Sequence, residues 1–459
     1  MRIVYFCGMP VPHDLIQSLQ HVAGFNESTF KQVHASGEQV TAIRFHPVKQ
    51  PWTTERWTGE HIPWCPLGFY LSERPSFTLD PSFHAGAYYV QDASSMFLWQ
   101  ALQQLVPETA GKKVLDLCAA PGGKSTLLAS YFPDGLLVSN EVIKSRAAIL
   151  LENMTKWGND NVVVTNNDPA HFQSLGNYFD VIVVDAPCSG SGLFRKDPDA
   201  VHEWSLDHVQ LCSQRQQRIL SDILPVLKEE GILIYATCSY SKEEDEMIGD
   251  WLTGEMGMES LPVQIDDAWG IVSSFSEKQG AAGYRFYPDR LKGEGFFLAA
   301  FKKKTTDAVG SYGKTVTIAR PGKQETAQLL SFMPLANEYQ VFKQADQFRV
   351  VQQKWMEDIA VLAGSLYIRK AGVEIGAIKG KDIVPSHELA MSLLPKESFS
   401  QVSIDKEQAL QYLRRQDISL QAPKGWNLMM YDNLPLGWIK ALPNRINNYY
   451  PQEWRILKK

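Results

Sequence analysis

Val114-Leu115-Asp116-Leu117-Cys118-Ala119-Ala120-Pro121-Gly122-Gly123-Lys124-Ser125-Thr126 decides how this chain is read. A short apolar run leads into a loop of small residues and then into a helix-like stretch, the pattern of a buried strand followed by a tight turn. Small residues let the backbone approach a ligand, and the helix that follows offers unpaired amides at its N-terminus. Two kinds of site use such a loop. A P-loop requires G-x-x-x-x-G-K-[ST]; Gly123-Lys124-Ser125 fit its end, but Cys118 stands at its opening position. A nucleoside-cofactor loop needs only small residues, with an acid after the second strand to hold ribose hydroxyls. Glu141, directly after Leu136–Asn140, supplies that acid, and Asp168 follows the third strand in the same way, where it could meet an adenine.

Outward from this loop the pattern is regular over residues 91–301. Residues 91–105 read as a helix. Short apolar runs at 114–117, 136–139, 162–165, 181–184, 231–236 and 295–301 alternate with helix-like segments. Strands alternating with helices imply an α/β fold, a doubly wound and mostly parallel Rossmann-like sheet. Ligands in such sheets sit at the carboxyl ends of the strands, so the residues after each apolar run are the ones to read. After the fourth strand comes Asp185-Ala186-Pro187-Cys188, and after the fifth Thr237-Cys238-Ser239. A lone buried cysteine is usually inert packing. Two in equivalent strand-end positions beside an aspartate converge on one cleft, and a thiolate is a strong nucleophile. Cys7, Cys65, Cys118 and Cys212 read as ordinary thiols.

The flanks are less regular. Residues 13–22 read as an amphipathic helix and 39–45 as a strand. Residues 51–90 form an aromatic, turn-rich connector. A polar linker at 302–313 precedes a mixed segment, 322–390, with a helix at 324–332 and strands near 348–352 and 365–369. A second mixed segment, 395–459, ends in aromatic and basic residues.

The length of 459 residues implies several domains. A hydrophobic fraction of 44% and a charged fraction of 21% describe a soluble globular chain. No apolar run is long enough for a membrane span, and the N-terminus lacks the apolar core of a secretory signal. Six cysteines without a CxxC pair make neither a disulfide framework nor a zinc site, so no metal is expected and the cytoplasm is the simplest location. The net charge of −6 argues against nucleic acid, but its distribution does not. Residues 241–270 carry nine acids against Lys242 alone, an acidic patch that hides a mildly basic remainder. Residues 391–459 hold ten basic and six acidic side chains.

The runs Asp116 to Lys124, Asp185-Ala186-Pro187-Cys188 and Thr237-Cys238-Ser239 together resemble the NOL1/NOP2/Sun RNA cytosine-5 methyltransferases, most like their bacterial RsmF-type rRNA branch. The resemblance spans roughly residues 1–305. Tyr88-Tyr89-Val90-Gln91-Asp92-Ala93-Ser94-Ser95 is similar to that family's lead-in segment. Phe194-Arg195-Lys196-Asp197-Pro198-Asp199 and Trp204-Ser205 also fit. Pro435-Leu436-Gly437-Trp438-Ile439-Lys440 resembles the branch's PUA-like RNA-binding module. Relatives often have Pro-His where this chain has Pro288-Asp289, so Asp289 inherits no role.

The resemblance implies four domains. These are an α+β N-terminal RNA-binding or adaptor domain (1–85), a methyltransferase core (86–305), a first small C-terminal domain (322–390) and a PUA-like domain (395–459). It implies S-adenosyl-L-methionine as cofactor, with the backbone of Cys118, Ala119, Ala120, Pro121, Gly122, Gly123 and Lys124 along the methionine moiety. Glu141 would take the ribose, and Asp168 the adenine amine. Arg146 either supports the loop or makes a helix-surface ion pair. Cys238 would attack carbon-6 of a cytosine, Asp185 would bond the base and also border the cofactor, and Cys188 would assist release. Lys124 either neutralises charge near Asp185 or is a surface lysine. The expected partner is RNA, with 16S rRNA or the small ribosomal subunit ahead of tRNA. The protein is taken as a monomer, with no membrane. The aromatic residues of 64–90 and Trp438, Tyr449 and Tyr450 would either grip RNA or form core. Removing 395–459 would weaken RNA binding and spare cofactor affinity. Two other classes stay open: a P-loop hydrolase, which leaves both cysteines unexplained, and a non-catalytic RNA-binding assembly factor.

Overall fold

The structure is a computed structural model that describes residues 11–49, 59–304 and 313–458. Cys7 and most of the 302–313 linker lie outside the described residues. The N-terminal region carries helices His13–Ser18 and Glu27–Ala35 and three antiparallel strands. These are β1 (Thr41–Phe45), β2 (Gly68–Leu71) and β3 (Tyr88–Val90), in the order β2-β1-β3. The third strand lies past the expected boundary at residue 85, so the lead-in segment is the seam between this sheet and the core.

The core follows with β4 (Lys113–Asp116), β5 (Leu136–Asn140), β6 (Val162–Thr165), β7 (Phe179–Asp185) and β8 (Leu227–Thr237). These five are parallel, in the order β6-β5-β4-β7-β8. Then come β9 (Glu259–Leu261), β10 (Val272–Phe275), β11 (Ala282–Phe286) and β12 (Phe296–Lys302). The β12 strand pairs antiparallel with β8 and carries β11, β10 and β9 beyond it. Both faces of the sheet are covered, which explains the near-continuous apolar runs. Along β7, Val181 and Val183 enter the core on one face, while Ile182 and Val184 enter the other. Each such side chain contributes about 1.5–3 kcal/mol by leaving water. The helix read at 91–105 begins later, at Phe97, after a 3-10 turn at Ser94–Met96.

Residues 323–391 supply β13 (Tyr339–Gln344), β14 (Gln347–Gln352), β15 (Ile368–Ala371), β16 (Val373–Lys379) and β17 (Asp382–Pro385). Four of them form an antiparallel sheet, β13-β14-β16-β17. The β15 strand leaves that sheet and pairs antiparallel with β6, capping the core's far edge. The last module has β18 (Ser400–Ser403), β19 (Gly425–Tyr431), β20 (Leu434–Leu442) and β21 (Arg445–Asn448) in that spatial order. Its core is continuous with the N-terminal sheet: Ile43, Phe45 and Tyr88 share one apolar cluster with Tyr412, Ile439 and Tyr450. No helix among the described residues is long and apolar enough to cross a membrane.

Candidate active site

Strand order reverses between β4 and β7, and a cleft of about 660 Å³ opens there at the carboxyl ends of the parallel strands. Cys118, Ala120, Pro121, Lys124, Glu141, Arg146, Asp168, Asp185, Cys188 and Cys238 all line it. Ala119, Gly122 and Gly123 complete the loop without lining the cleft. Gly122 caps the helix Gly123–Tyr131 at φ +114°, a conformation that excludes most side chains.

At the start of the loop Asp116 is fully buried. Ser125 Oγ donates to its Oδ2 at 2.6 Å, while Oδ1 has no hydrogen-bond partner. Burial pushes the Asp116 carboxyl up to about 7, with Asp185 and Glu141 adding to the rise and Ser125 and Lys124 opposing it. Glu141 is 2% exposed; its Oε1 accepts from the Ile143 amide at 2.9 Å, and its Oε2 lies 3.6 Å from Arg146 Nη1. Arg146 Nη2 also donates to the Ala120 carbonyl at 2.7 Å, so its contacts are with the loop and with the buried strand-end Glu141, not with a partner on its own helix surface. Asp168 caps the turn Pro169–Leu175 by accepting from the Ala170 amide at 3.1 Å. Behind the cleft lies the unpartnered Asp116 oxygen, and the cleft itself offers a helix N-terminus and a strand-end glutamate, which suit a ligand that carries a cationic centre, a carboxylate and ribose hydroxyls. S-adenosylmethionine is such a ligand.

Across the cleft, Lys124 is 8% exposed and its Nζ lies 2.8 Å from Asp185 Oδ2. The ammonium also stands over the Phe296 ring, 5.0 Å from its centroid. The surface-lysine alternative therefore fails. The P-loop alternative fails with it, because Lys124 reaches the neighbouring strand end instead of folding over its own loop. Cys188 Sγ and Cys238 Sγ stand 2.7 Å apart as free thiols. The hydrogen bond to Cys238 pushes the Cys188 thiol well up, and burial and the Glu244 charge add to it. Burial also raises the Cys118 thiol, beside Asp116 and Glu141. Cys65 packs in the core and Cys212 is buried.

Several expectations change. The acidic run is not one solvated patch. Glu244, Asp245 and Glu246 are buried, and Arg285 pairs with both Asp245 and Glu246. In the described part of the aromatic connector, Trp64, Tyr70, Phe77 and Tyr88 are core, and the Trp64 indole donates to the Ala93 carbonyl at 2.7 Å. Trp438 and Tyr450 are also buried, while Tyr449 is 37% exposed and packs edge-on against Trp426. Asp289 lies outside the cleft and accepts from Thr29 Oγ1 at 2.5 Å, joining an N-terminal helix to the core. Arg215 and Arg218, exposed on helix Leu206–Ile223 and lining the cleft, were not singled out from the sequence; no motif marks them.

Comparison with known proteins adds three matches to family models in chain order. Residues 11–93 match the N-terminal domain of 16S rRNA methyltransferase RsmF, 102–302 the 16S rRNA methyltransferase RsmB/F model, and 399–456 the RsmF PUA domain. The chain is similar to ribosomal RNA small subunit methyltransferase F of Psychromonas ingrahamii, 31% identical over 86% of this chain and 85% of that one. The same-named protein of Aliivibrio fischeri is 29% identical over 88% and 87%. Among solved structures, a methyltransferase homolog protein from Pyrococcus horikoshii is 27% identical at TM-score 0.51, covering 64% of this chain and all of that one. NSun6 from the same organism, solved with SFG, shares the fold at TM-score 0.53 and 18% identity, over 66% of this chain and all of that one.

Proposed function

The chain belongs to the ribosomal RNA small subunit methyltransferase F family, and we propose that it methylates carbon-5 of a cytosine in 16S rRNA through a covalent adduct on Cys238. The observation that carries this reading is the pair of free thiols at 2.7 Å, on the ends of adjacent parallel strands, in one cleft with the Lys124–Asp185 ion pair. Carbon-5 of cytosine is a poor nucleophile. Addition of the Cys238 thiolate to carbon-6 moves the ring's electron pair toward N3 and leaves an enamine whose carbon-5 can attack an electrophile. Asp185 would bond N3 and the exocyclic amine, and Lys124 would balance the charge beside it. Cys188 would assist the elimination in which the carbon-5 proton leaves to a base and the sulfur–carbon-6 bond breaks, which restores the Cys238 thiolate.

S-adenosylmethionine, the family's cofactor, supplies a methyl group on a sulfonium. The loop from Cys118 to Lys124 would flank its methionine part, Glu141 its ribose and Asp168 its adenine. Arg146 would brace that loop through Ala120. The target cytosine would have to leave its stack to reach both the Cys238 thiol and the methyl group.

A trapping gel tests the chemistry. Cys188→Ala protein is mixed with 16S rRNA and S-adenosylmethionine and then denatured. An RNA adduct that survives, and that disappears in the Cys188→Ala/Cys238→Ala variant, supports the reading. An adduct from Cys238→Ala instead would exchange the two roles. Adduct with tRNA but not rRNA would move the substrate, and none with either RNA would overturn the covalent route.

A further inference from the structure

Two loops bring Cys188 and Cys238 together, and one buried carboxylate holds both loops. Glu244 is fully buried. Its Oε1 accepts from the Ser189 amide at 2.8 Å and from Gln216 Nε2 at 3.1 Å. Its Oε2 accepts from Ser189 Oγ at 2.5 Å and from Ser239 Oγ at 2.6 Å. Ser189 directly follows Cys188, and Ser239 directly follows Cys238. Gln216 also donates to the Pro187 carbonyl at 3.1 Å, and Tyr235 Oη donates to the Glu244 carbonyl at 2.7 Å. All four groups facing the carboxylate are donors, the set that suits the ionised, acceptor-only form. Burial pushes the Glu244 carboxyl up, against those hydrogen bonds.

Resting on the two-cysteine reading above, we propose that Glu244 is the positioning residue that makes the cysteines unequal. Its hydrogen bonds set the spacing of the two loops, and its charge keeps the proton of the thiol pair on Cys188, leaving Cys238 as the nucleophile. Two thiols at hydrogen-bond distance share their proton according to the field around them. Three of the four donors to Glu244 belong to the Cys188 side, two on Ser189 and one on Gln216, which also holds the Pro187 carbonyl, so the anion opposes a second negative charge there, and Glu244 is among the groups that hold that thiol up. A staple with no electrostatic role would hold the spacing and leave the proton unassigned.

The test needs no RNA. Full-length wild-type and Glu244→Gln proteins are treated with iodoacetamide between pH 6.5 and 9. Initial alkylation rates are read for each cysteine by peptide mass spectrometry. Gln keeps the shape of Glu, and the two serine hydroxyls can rotate to accept from its amide, so the loops stay joined. The expected result is a Cys188-to-Cys238 rate ratio that rises about fivefold or more at pH 8, with the Cys188 profile moved to lower pH. Glu244→Asp, which keeps the charge, should stay within about twofold of wild type. Ser239→Ala, which removes one donor and so weakens the anion, should move the ratio the same way by a smaller factor, and it gives the answer if Glu244→Gln fails to fold. An unchanged ratio in both Glu244→Gln and Ser239→Ala overturns the proposal, as does an equal change in Glu244→Asp and Glu244→Gln. Because methylation is not the readout, failure of the cytosine chemistry and failure of this proposal are told apart.

Discussion

Lys124 and Asp185 form a 2.8 Å ion pair between the first helical turn after β4 and the end of β7, with the lysine buried and the carboxylate 36% exposed toward the cleft. The pair bridges the two strand ends at which the sheet order reverses.

Because the two charges act as a unit, their loss should not add. Lys124→Met and Asp185→Asn are each expected to lower single-turnover methyl transfer by about 10–1,000-fold. The double variant should be no worse than the weaker single variant by more than a few-fold. Multiplying effects would show that the two side chains work independently.

Asp116 gives a pH dependence with a definite sign. Its carboxyl protonates at about 7 in the folded chain, against about 4 in an unfolded one. Between those values the folded state binds the extra proton, so this group's contribution to stability is greatest at low pH and declines as pH rises toward 7. Asp116→Asn removes the decline, so its melting temperature relative to wild type should rise from pH 5 to pH 8. A cationic ligand prefers the ionised form. Wild-type affinity for S-adenosylmethionine should therefore strengthen severalfold between pH 6 and 7.5, and Asp116→Asn should show a flat profile by calorimetry. A flat wild-type profile would separate Asp116 from the cofactor.

The strand ends were legible because each joins an apolar run to a chemically distinctive residue, as in Val114 to Cys118 and Val181 to Cys188. A parallel sheet gathers such ends whatever the loops between them do. Glu244 was hidden by its neighbours: acids in sequence read as a surface, and only the tertiary fold supplies Arg285 for Asp245 and Glu246 and two serines for Glu244. The departure of β15 to the core's edge was equally out of reach. Nothing local in Ile368–Ala371 distinguishes one unpaired sheet edge from another.

Gly192 and Gly295 meet beneath the Cys238 loop. The Gly192 amide donates to the Cys238 carbonyl at 2.8 Å, and the Gly295 amide to the Gly192 carbonyl at 3.2 Å. A Cβ at Gly192 would fall 2.4 Å from the Gly295 carbonyl oxygen, and one at Gly295 would fall 2.3 Å from the Tyr240 ring. Backbone cannot yield as a flexible side chain does, so Gly192→Ala should cost about 1–3 kcal/mol. It should also slow Cys238 alkylation by displacing its loop. Thermal melts and thiol kinetics on the same sample check both effects, and a variant that alkylates and melts like wild type would show that this contact is slack.

The C-terminal module does not come off cleanly. Tyr412 and Tyr450 are fully buried in the cluster that also holds Ile43, Phe45 and Tyr88 of the N-terminal sheet. Removing residues 395–459 would expose that sheet's apolar face, so the truncated protein should aggregate, which makes the deletion unfit to measure RNA binding. Tyr412→Ala should cost about 3–5 kcal/mol for the same reason. Charge reversal at the module's surface avoids the problem. Arg414, Arg455 and Lys458 line one shallow groove, and Arg455 and Lys458 are exposed. Glutamate at all three should weaken rRNA binding and reduce the slope of log affinity against log salt by about 2–3, while the affinity for S-adenosylmethionine stays unchanged. An unchanged salt slope would place the RNA on another face.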